Sequence, residues 1–156
     1  MTRIAVVGAS GYAGGEMARL ILGHPHAALG TLYAGSNTGR AIRDIHPQLR
    51  GIDQESFAAV DVDELAEHDV VVLALPHGQS GQLGEQLIAQ NPELVLIDLG
   101  ADRRLHDAAA WAAYYGGDHF DPWVYGVPEL PLADGSRQRE ALRGARRIAA
   151  PGCNAS

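Results

Sequence analysis

Short apolar runs alternate with helix-like segments along this chain. Residues 3–7 form a β-branched apolar run that enters a glycine cluster, and residues 16–22 then place apolar side chains at helical spacing. The sequence Gly23-His24-Pro25 ends this helix, and residues 28–34 give a second, weaker strand pattern. Residues 3–34 are therefore expected to form a strand, a helix and a second strand.

The strongest strand pattern spans residues 70–75, where apolar residues follow one another without interruption. Such a run is typical of a strand buried on both faces of a sheet. Further strands are predicted at 94–98 and 147–150, and helices at 79–90, with Ser80 as N-cap, and at 107–115, capped by Asp107. Residues 116–132 are irregular, and 135–142 hold a turn or short helix. The alternation predicts an α/β fold with a doubly wound, mostly parallel sheet.

The glycine cluster follows the dinucleotide-binding pattern G-x-x-G-x-x-G, between the first strand and the first helix. Glycine permits a sharp turn and lets a pyrophosphate approach the backbone, while the helix N-terminus supplies free N–H donors and partial positive charge. The alternative is a tight turn with no ligand, which the strand and helix on either side make less favoured. The predicted cofactor-binding residues here are Gly8, Ser10, Gly11, Tyr12, Ala13 and Gly14.

The residues after the second strand favour NADP over NAD. A carboxylate at this point would bind the adenosine 2′-hydroxyl of NAD, but residues 34–40 contain none. Ser36, Asn37 and Thr38 offer hydrogen bonds, and Arg40 offers a positive charge that suits a 2′-phosphate. The alternative is a solvated polar loop. We predict that Ser36, Asn37 and Arg40 bind NADP.

Cys153 is the only cysteine, so the chain has neither an internal disulfide nor a cysteine-based zinc pattern. It follows a predicted strand and is expected to begin a helix over 153–156, where a thiolate is favoured. A thiolate is the nucleophile that holds an acyl group as a thioester during hydride transfer. The alternative is a buried apolar cysteine. The strand exit, beside the expected cofactor, favours the nucleophile.

Composition narrows the choice of partner. Hydrophobic residues make up 46% and charged residues 20%, which is typical of globular domains, and no apolar run approaches the ~20 residues of a membrane span. A formal charge of -7 argues against a broad nucleic-acid surface, so a small molecule is the expected partner. The N-terminus lacks secretory-signal features, so a cytoplasmic location is expected. No metal site is predicted, and the following histidines are interpreted as solvated: His24, His26, His46, His68, His106 and His119.

Five motifs in order resemble those of the N-acetyl-γ-glutamyl-phosphate reductases, a family in the broader group that includes aspartate-semialdehyde dehydrogenase. The resemblance covers nearly the whole chain. The motifs are Gly8-Ala9-Ser10-Gly11-Tyr12-Ala13-Gly14-Gly15-Glu16, Leu75-Pro76-His77-Gly78, Asp98-Leu99-Gly100-Ala101-Asp102, Tyr125-Gly126-Val127-Pro128-Glu129-Leu130 and Pro151-Gly152-Cys153.

The resemblance implies NADPH-dependent reduction of N-acetyl-γ-glutamyl phosphate to N-acetylglutamate 5-semialdehyde, a step of arginine biosynthesis that releases phosphate. Cys153 would be the catalytic nucleophile, and Leu75, Pro76 and His77 would lie against the cofactor. Residues 1–150 would form a Rossmann-like NADP-binding domain, and 151–156 would begin an α+β catalytic and dimerisation domain that this chain lacks. The general acid/base histidine would follow Ser156, the fragment alone would be inactive, and the full-length protein would be a homo-oligomer.

Two departures from the family pattern leave other reaction partners open. Arg103 stands where members usually have an aromatic residue, and residues 154–156 read Asn-Ala-Ser where many read Tyr-Pro-Thr. One alternative is a related acyl-phosphate reductase, either aspartate-semialdehyde dehydrogenase or a carrier-linked aminoadipyl- or glutamyl-phosphate reductase. Another is a non-catalytic NADP-binding module.

Overall fold

The computed structural model describes residues 1–153 as alternating strands and helices. The strands are β1 (Thr2–Val7), β2 (Ala27–Tyr33), β3 (Val70–Leu73), β4 (Val95–Asp98), β5 (Val124–Tyr125) and β6 (Arg147–Ala149). The helices are α1 (Tyr12–Leu22), α2 (Ile42–Ile45), α3 (Val62–Ala66), α4 (Gln79–Gln90), α5 (Ala108–Tyr114) and α6 (Gln138–Leu142). The helix expected over 154–156 lies outside the described residues.

All six strands join one sheet in the order β2-β1-β3-β4-β6-β5, and every neighbouring pair is parallel. The chain runs from β1 outwards to β2 and then returns to place β3 on the other side of β1. The direction of winding therefore reverses between β1 and β3, and ligands of such sheets bind at the carboxyl ends of the strands at this point. The predicted doubly wound parallel sheet is confirmed.

Apolar side chains cover both faces of the sheet. In β3, Val71 and Leu73 enter one core cluster with Leu65 of α3 and Leu87 of α4. Val72, between them, enters the second cluster. That second cluster also contains Val6 from β1, Ala18 and Ile21 from α1, and Ile42 from α2. Burial on both faces explains why β3 reads as an uninterrupted apolar run.

Helix boundaries depart from the sequence prediction at two N-termini. α1 begins at Tyr12, before the predicted start at residue 16, and so includes Gly14 and Gly15. The prediction of Ser80 as the N-cap of α4 is wrong. Gly78, with a φ of 85°, is the N-cap, and Ser80 is a buried residue of the first turn. Asp107 does cap α5, because its side chain accepts a hydrogen bond from the Ala109 amide.

Three short elements are missing from the sequence prediction. α2 lies in the polar segment after β2, α3 precedes β3, and β5 lies in the segment 116–132 that is expected to be irregular. β5 pairs with β6 through Val124 and Tyr125 only, so its identity as a strand depends on a distant partner. Within residues 1–153, none of the helices has the length and apolar character needed to cross a membrane.

Candidate dinucleotide and thiol site

The turn from β1 into α1 requires glycine at Gly8 and Gly14. Gly8 has a φ of 77°, and a Cβ there would overlap the Ala74 carbonyl oxygen at the exit of β3. A Cβ at Gly14 would stand 2.7 Å from Ala9 Cα. Gly11 is less constrained, since its Cβ would meet only the Gly8 carbonyl oxygen at 3.4 Å. Two of the three glycines are therefore required by close backbone packing.

The N-terminus of α1 has the features of an anion site. Its N-cap, Gly11, provides no side-chain hydrogen bond, and the first turn contains no acidic residue. Tyr12, the first residue of the helix, is 99% exposed, so its own side chain does not cover this end. The helix spans Tyr12–Leu22, and its dipole and free amides would stabilise a diphosphate placed there.

The loop after β2 joins three of the predicted NADP-binding residues to one another. Asn37 Nδ2 donates to Ser10 Oγ at 3.1 Å, and Arg40 Nη1 donates to Asn37 Oδ1 at 3.2 Å. The side chains of Ser36 and Arg40, in the same loop, are exposed. Thr38 has a local role, because its hydroxyl donates to the Ala34 carbonyl at 2.7 Å. A polar path thus leads from the glycine turn to an exposed guanidinium.

The loop after β3 lies next to the glycine turn. The Leu75 side chain approaches to 3.3 Å from the position that a Cβ on Gly8 would take. Pro76 and His77 are exposed, and the His77 ring meets the Tyr115 ring edge-on, with centroids 5.9 Å apart. This loop therefore borders the crevice between β1 and β3.

The Cys153 thiol is exposed and lines a cleft of about 700 Å³. Ala13, from the first turn of α1, lines the same cleft. The other lining residues are Leu99, Arg104, Tyr115, Ala150, Pro151 and Gly152. The cleft thus contains both the predicted nucleophile and the N-terminus of α1, and a thiol that is exposed to solvent is not the buried apolar cysteine considered as the alternative.

Arg104 brings a positive charge into the thiol cleft and was missed in the sequence. Its Nε donates to the Ala150 carbonyl and its Nη2 to the Leu99 carbonyl, both at 2.8 Å. Its Nη1 lies 3.2 Å from where a Cβ on Gly152 would stand. The guanidinium is therefore fixed beside Cys153. The available signal was a second arginine directly after the Gly100-Ala101-Asp102 motif.

Asp102 is fully buried and binds the start of α4. Its carboxylate accepts hydrogen bonds from the Gly78 amide at 2.7 Å, from the Gly81 amide at 2.7 Å and from the Ser80 hydroxyl at 3.1 Å. A carboxylate is favoured at a helix N-terminus by the helix dipole. Asp102 thereby holds the loop that carries His77.

Asp98 is the second buried carboxyl group of this cluster. Burial raises the pKa of Asp98 above its ordinary value, while hydrogen bonds from the Gly100 amide and from Ser80 oppose the shift. The single hydroxyl hydrogen of Ser80 lies between Asp98 Oδ2 at 3.3 Å and Asp102 Oδ2 at 3.1 Å, so it can serve only one of them. Burial is therefore the largest influence on the Asp98 carboxyl group, and it moves the pKa upwards.

Arg103 is buried between two aromatic rings. Its guanidinium carbon lies 4.9 Å from the centre of the Phe120 ring and 4.7 Å from that of Trp123. It also forms an ion pair with Glu85 and donates to the Gly81 carbonyl at 3.2 Å. Arg103 therefore packs among aromatic side chains through cation–π contacts.

The interpretation of the histidines as solvated is wrong for His46 and His68, which are each only 6% exposed. His46 Nε2 lies 2.8 Å from the Ala9 carbonyl oxygen, and His68 Nδ1 lies 3.1 Å from that of Glu64. His119 is half-buried and bonded to the Leu105 carbonyl. His24, His26 and His106 are exposed. In the described part of the chain, no three metal-ligating side chains are grouped to hold a metal ion.

The parallel sheet, its switch point and the glycine turn together define a dinucleotide-binding domain of the doubly wound class. The chain belongs to the family described as semialdehyde dehydrogenase, NAD binding domain, whose model matches residues 3–136.

The chain is similar in sequence to reductases of several bacteria. It is 52% identical over 153 residues to the N-acetyl-gamma-glutamyl-phosphate reductase of Leifsonia xyli subsp. xyli, covering 98% of this chain and 43% of that protein. It is 52% identical over 156 residues to the reductase of the same name from Mycobacterium avium, covering 97% and 43%. The resemblance read from the motifs is confirmed, and the chain spans less than half the length of these relatives.

Solved structures agree with the fold. Aspartate semialdehyde dehydrogenase from Francisella tularensis superimposes with a TM-score of 0.61 at 16% identity, covering 99% of this chain and 37% of that one. The enzyme of the same name with NADP from Candida albicans gives a TM-score of 0.59 at 15% identity, covering 99% and 43%. At these identities the likeness shows the fold alone.

Proposed function

We propose that the protein carrying this chain reduces N-acetyl-γ-glutamyl phosphate to N-acetylglutamate 5-semialdehyde, with NADPH as donor and phosphate as leaving group. The observation that carries the proposal is the shared cleft, which is lined both by the exposed Cys153 thiol and by Ala13 of the first turn of α1. The sequence similarity to the reductases of Leifsonia xyli and Mycobacterium avium supports the choice of substrate.

Cys153 acts as the nucleophile in this proposal. Its thiolate attacks the carbonyl carbon of the acyl phosphate, a C–S bond forms, and the bond to the phosphate oxygen breaks with its electron pair on phosphate. The product on the protein is a thioester. Arg104, fixed by the Leu99 and Ala150 carbonyls, supplies positive charge for the anionic substrate in the same cleft.

The glycine turn and the loop after β2 hold the cofactor. When bound there, NADPH would supply the hydride for reduction of the thioester; the C–S bond then breaks with its electron pair on the Cys153 sulfur, which releases the aldehyde. The N-terminus of α1 binds the diphosphate, with Ser10 and Asn37 alongside it. Arg40 is exposed at the end of this path and binds the adenosine 2′-phosphate, while Ser36 adds a hydrogen bond. Leu75, Pro76 and His77 would lie against the cofactor.

Residues beyond this chain complete the enzyme in the proposal. Residues 1–150 form the NADP-binding domain, and 151–156 begin a catalytic domain that supplies the acid/base histidine and the contacts between subunits of a homo-oligomer. The protein works in the cytoplasm on a small-molecule acyl phosphate, with neither nucleic acid nor membrane as partner.

The proposal is tested by offering the full natural protein NADP, phosphate and N-acetylglutamate 5-semialdehyde and following NADPH formation. We expect turnover that is abolished in Cys153→Ser, because a serine hydroxyl is a far weaker nucleophile at neutral pH. Phosphate release from N-acetyl-γ-glutamyl phosphate checks the forward direction. Turnover of aspartate semialdehyde instead, or of a carrier-bound semialdehyde, would assign the related reductases. No turnover with intact NADP binding would assign a binding module.

Cofactor choice is tested separately with NADPH and NADH. We expect NADPH to be preferred and Arg40→Ala to remove most of that preference, since a hydrogen bond to a charged group contributes about 1.5–3 kcal/mol. Arg43→Ala, an arginine in α2 outside the Ser10–Asn37–Arg40 path, is the matched control. Equal affinity of the native protein for both cofactors would contradict the proposed specificity.

A further inference from the structure

His46 lies buried against the first turn of α1. Its ring packs edge-on to Phe57, with centroids 6.2 Å apart. On the opposite side the ring faces Gly15, where a Cβ would stand 2.7 Å from His46 Nε2. Gly15 is thus kept free of a side chain by the imidazole, and the glycine cluster has one glycine that serves the histidine instead of the turn itself.

The hydrogen bonds of His46 define its tautomer. Nε2 lies 2.8 Å from the Ala9 carbonyl oxygen, which can only accept, so Nε2 carries the hydrogen. The amide nitrogen of Gln48, a donor, lies 3.4 Å from Nδ1. Both partners fit the tautomer that carries its hydrogen on Nε2.

His46 thereby fixes one peptide plane of the glycine turn. The Ala9 amide donates to the Tyr33 carbonyl at 2.9 Å, and the Ala9 carbonyl accepts from His46. The peptide bond between Ala9 and Ser10 is trans, so the Ser10 N–H points opposite to the Ala9 carbonyl. The position of the imidazole therefore sets the direction of the Ser10 amide.

We propose that His46 is a positioning residue of the dinucleotide site, an inference that rests on the proposed binding of NADPH at the glycine turn. By holding the Ala9 carbonyl, His46 keeps the Ser10 amide and the start of α1 arranged for the diphosphate before the cofactor arrives. Donors that are already in place bind an anion more tightly because no ordering is required on binding. His46 lines one cleft together with Ser10, Gly11 and Tyr12.

Titration calorimetry of NADPH with the full natural protein tests this role. His46→Phe keeps a ring against Phe57 but loses the donor, and we expect its Kd to rise roughly three- to tenfold, the range of one lost hydrogen bond. His46→Gln places an amide donor near the former Nε2, and we expect it to recover most of the affinity. An unchanged Kd in a folded His46→Phe would overturn the inference.

His68→Phe is the matched control, because His68 is as buried as His46 but bonds to Glu64 and Thr31, away from the glycine turn. Both phenylalanine variants are expected to lower the melting temperature, and only His46→Phe to weaken NADPH binding. Equal weakening in both would assign His46 a merely structural role. Native protein that binds no NADPH would instead overturn the proposed function.

Nitrogen NMR of the native protein gives a second test that needs no variant. We expect the His46 ring to carry its hydrogen on Nε2 and to show coupling across the bond to the Ala9 carbonyl. A hydrogen found on Nδ1 alone would overturn the inference, since the Ala9 carbonyl would then have no donor.

Discussion

At the scale of single residues, the buried carboxyl groups separate into two roles. Asp102 accepts three donors from the start of α4, whereas Asp98 accepts the Gly100 amide and meets Ser80. Their environments differ although both are fully buried. Asp102 is held by backbone donors at the start of α4, and burial raises the pKa of Asp98 above its ordinary value.

The raised pKa of Asp98 predicts a pH-dependent stability. The folded state holds this proton more tightly than the unfolded state, so the contribution of Asp98 is fully present below its unfolded pKa. It is lost as pH rises through the folded pKa. Asp98→Asn stays neutral and can keep both hydrogen bonds, so we expect unfolding free energies at neutral pH to rise by about 1 kcal/mol. Urea unfolding from mildly acidic to neutral pH measures the difference.

Asp102→Asn is the control for this prediction. It weakens the acceptor for the Gly78 and Gly81 amides, and hydrogen bonds to charged groups contribute about 1.5–3 kcal/mol, so it should destabilise at neutral pH. If Asp98→Asn destabilised the fold as much as Asp102→Asn, the raised pKa of Asp98 would be contradicted.

The glycine turn gives a second prediction at the residue scale. The cost of a Cβ that clashes with its surroundings can be measured separately from the cost of a positive φ. Gly8 has a φ of 77° and no room for a Cβ, whereas Gly39 has a φ of 78° and no atom within 4 Å. Gly39→Ala therefore measures strain alone, about 1–3 kcal/mol. We expect Gly8→Ala to cost clearly more in urea unfolding and to abolish NADPH binding. Gly11→Ala, with negative φ and a 3.4 Å contact, should be the mildest of the three.

Sequence reasoning at the residue scale can group residues that are neighbours along the chain. Asn37 and Arg40 were selected from one loop, and the structure joins them to Ser10. It failed for His46, whose partner Ala9 is far away along the chain. A histidine buried by a long-range hydrogen bond has the same local pattern as an exposed one, so no rule based on nearby residues could separate them.

At the scale of elements, helix boundaries could be predicted where helix-breaking residues mark them. α4 runs over Gln79–Gln90 as predicted, because Gly78 and the Asn91-Pro92 pair end any helix at both sides. α1 starts earlier than predicted. Glycine has a low helix propensity, so Gly14 does not predict a helix, but close packing against Ala9 requires glycine at this position within α1. β5 was missed because two residues are too few to show an alternation of apolar and polar side chains, and only its pairing with β6 defines it as a strand.

Arg103 connects α4 to the segment that precedes β5, and this gives an element-scale prediction. Its guanidinium lies between Phe120 and Trp123 and pairs with Glu85 of α4. Arg103→Ala leaves a gap between the rings, and we expect a loss of about 2–4 kcal/mol in the free energy of unfolding. Arg103→Lys keeps the charge but not the planar stacking, so it should recover less than half of that loss.

Arg146→Ala serves as the control for Arg103, since Arg146 pairs with Glu93 at a site where the side chains are 47% and 76% exposed. We expect that variant to stay within about 0.5 kcal/mol of the native protein. Thermal and urea unfolding measure all three variants. A comparable loss in Arg146→Ala and Arg103→Ala would contradict a special role for the aromatic environment.

At the scale of the whole molecule, topology brings distant motifs together. The carboxyl ends of parallel strands meet at one edge, so the glycine turn after β1, the loop after β3 and Cys153 after β6 were expected near one crevice. The sheet order and the cleft shared by Ala13 and Cys153 agree with that expectation. Arg104 could not be placed in the same way, because its position depends on two carbonyls from separate segments.

The shared cleft predicts that cofactor and thiol reagent compete. Cys153 is exposed in a cleft that the first turn of α1 also lines, so NADPH bound at this turn should cover the thiol. With NADPH at about ten times its Kd, the rate of alkylation of Cys153 should fall roughly tenfold, because only unbound protein reacts. Mass spectrometry of the peptide containing Cys153 measures this rate. NADH at the same concentration should protect Cys153 less. An alkylation rate that saturating NADPH leaves unchanged would show that the thiol lies outside the cofactor crevice.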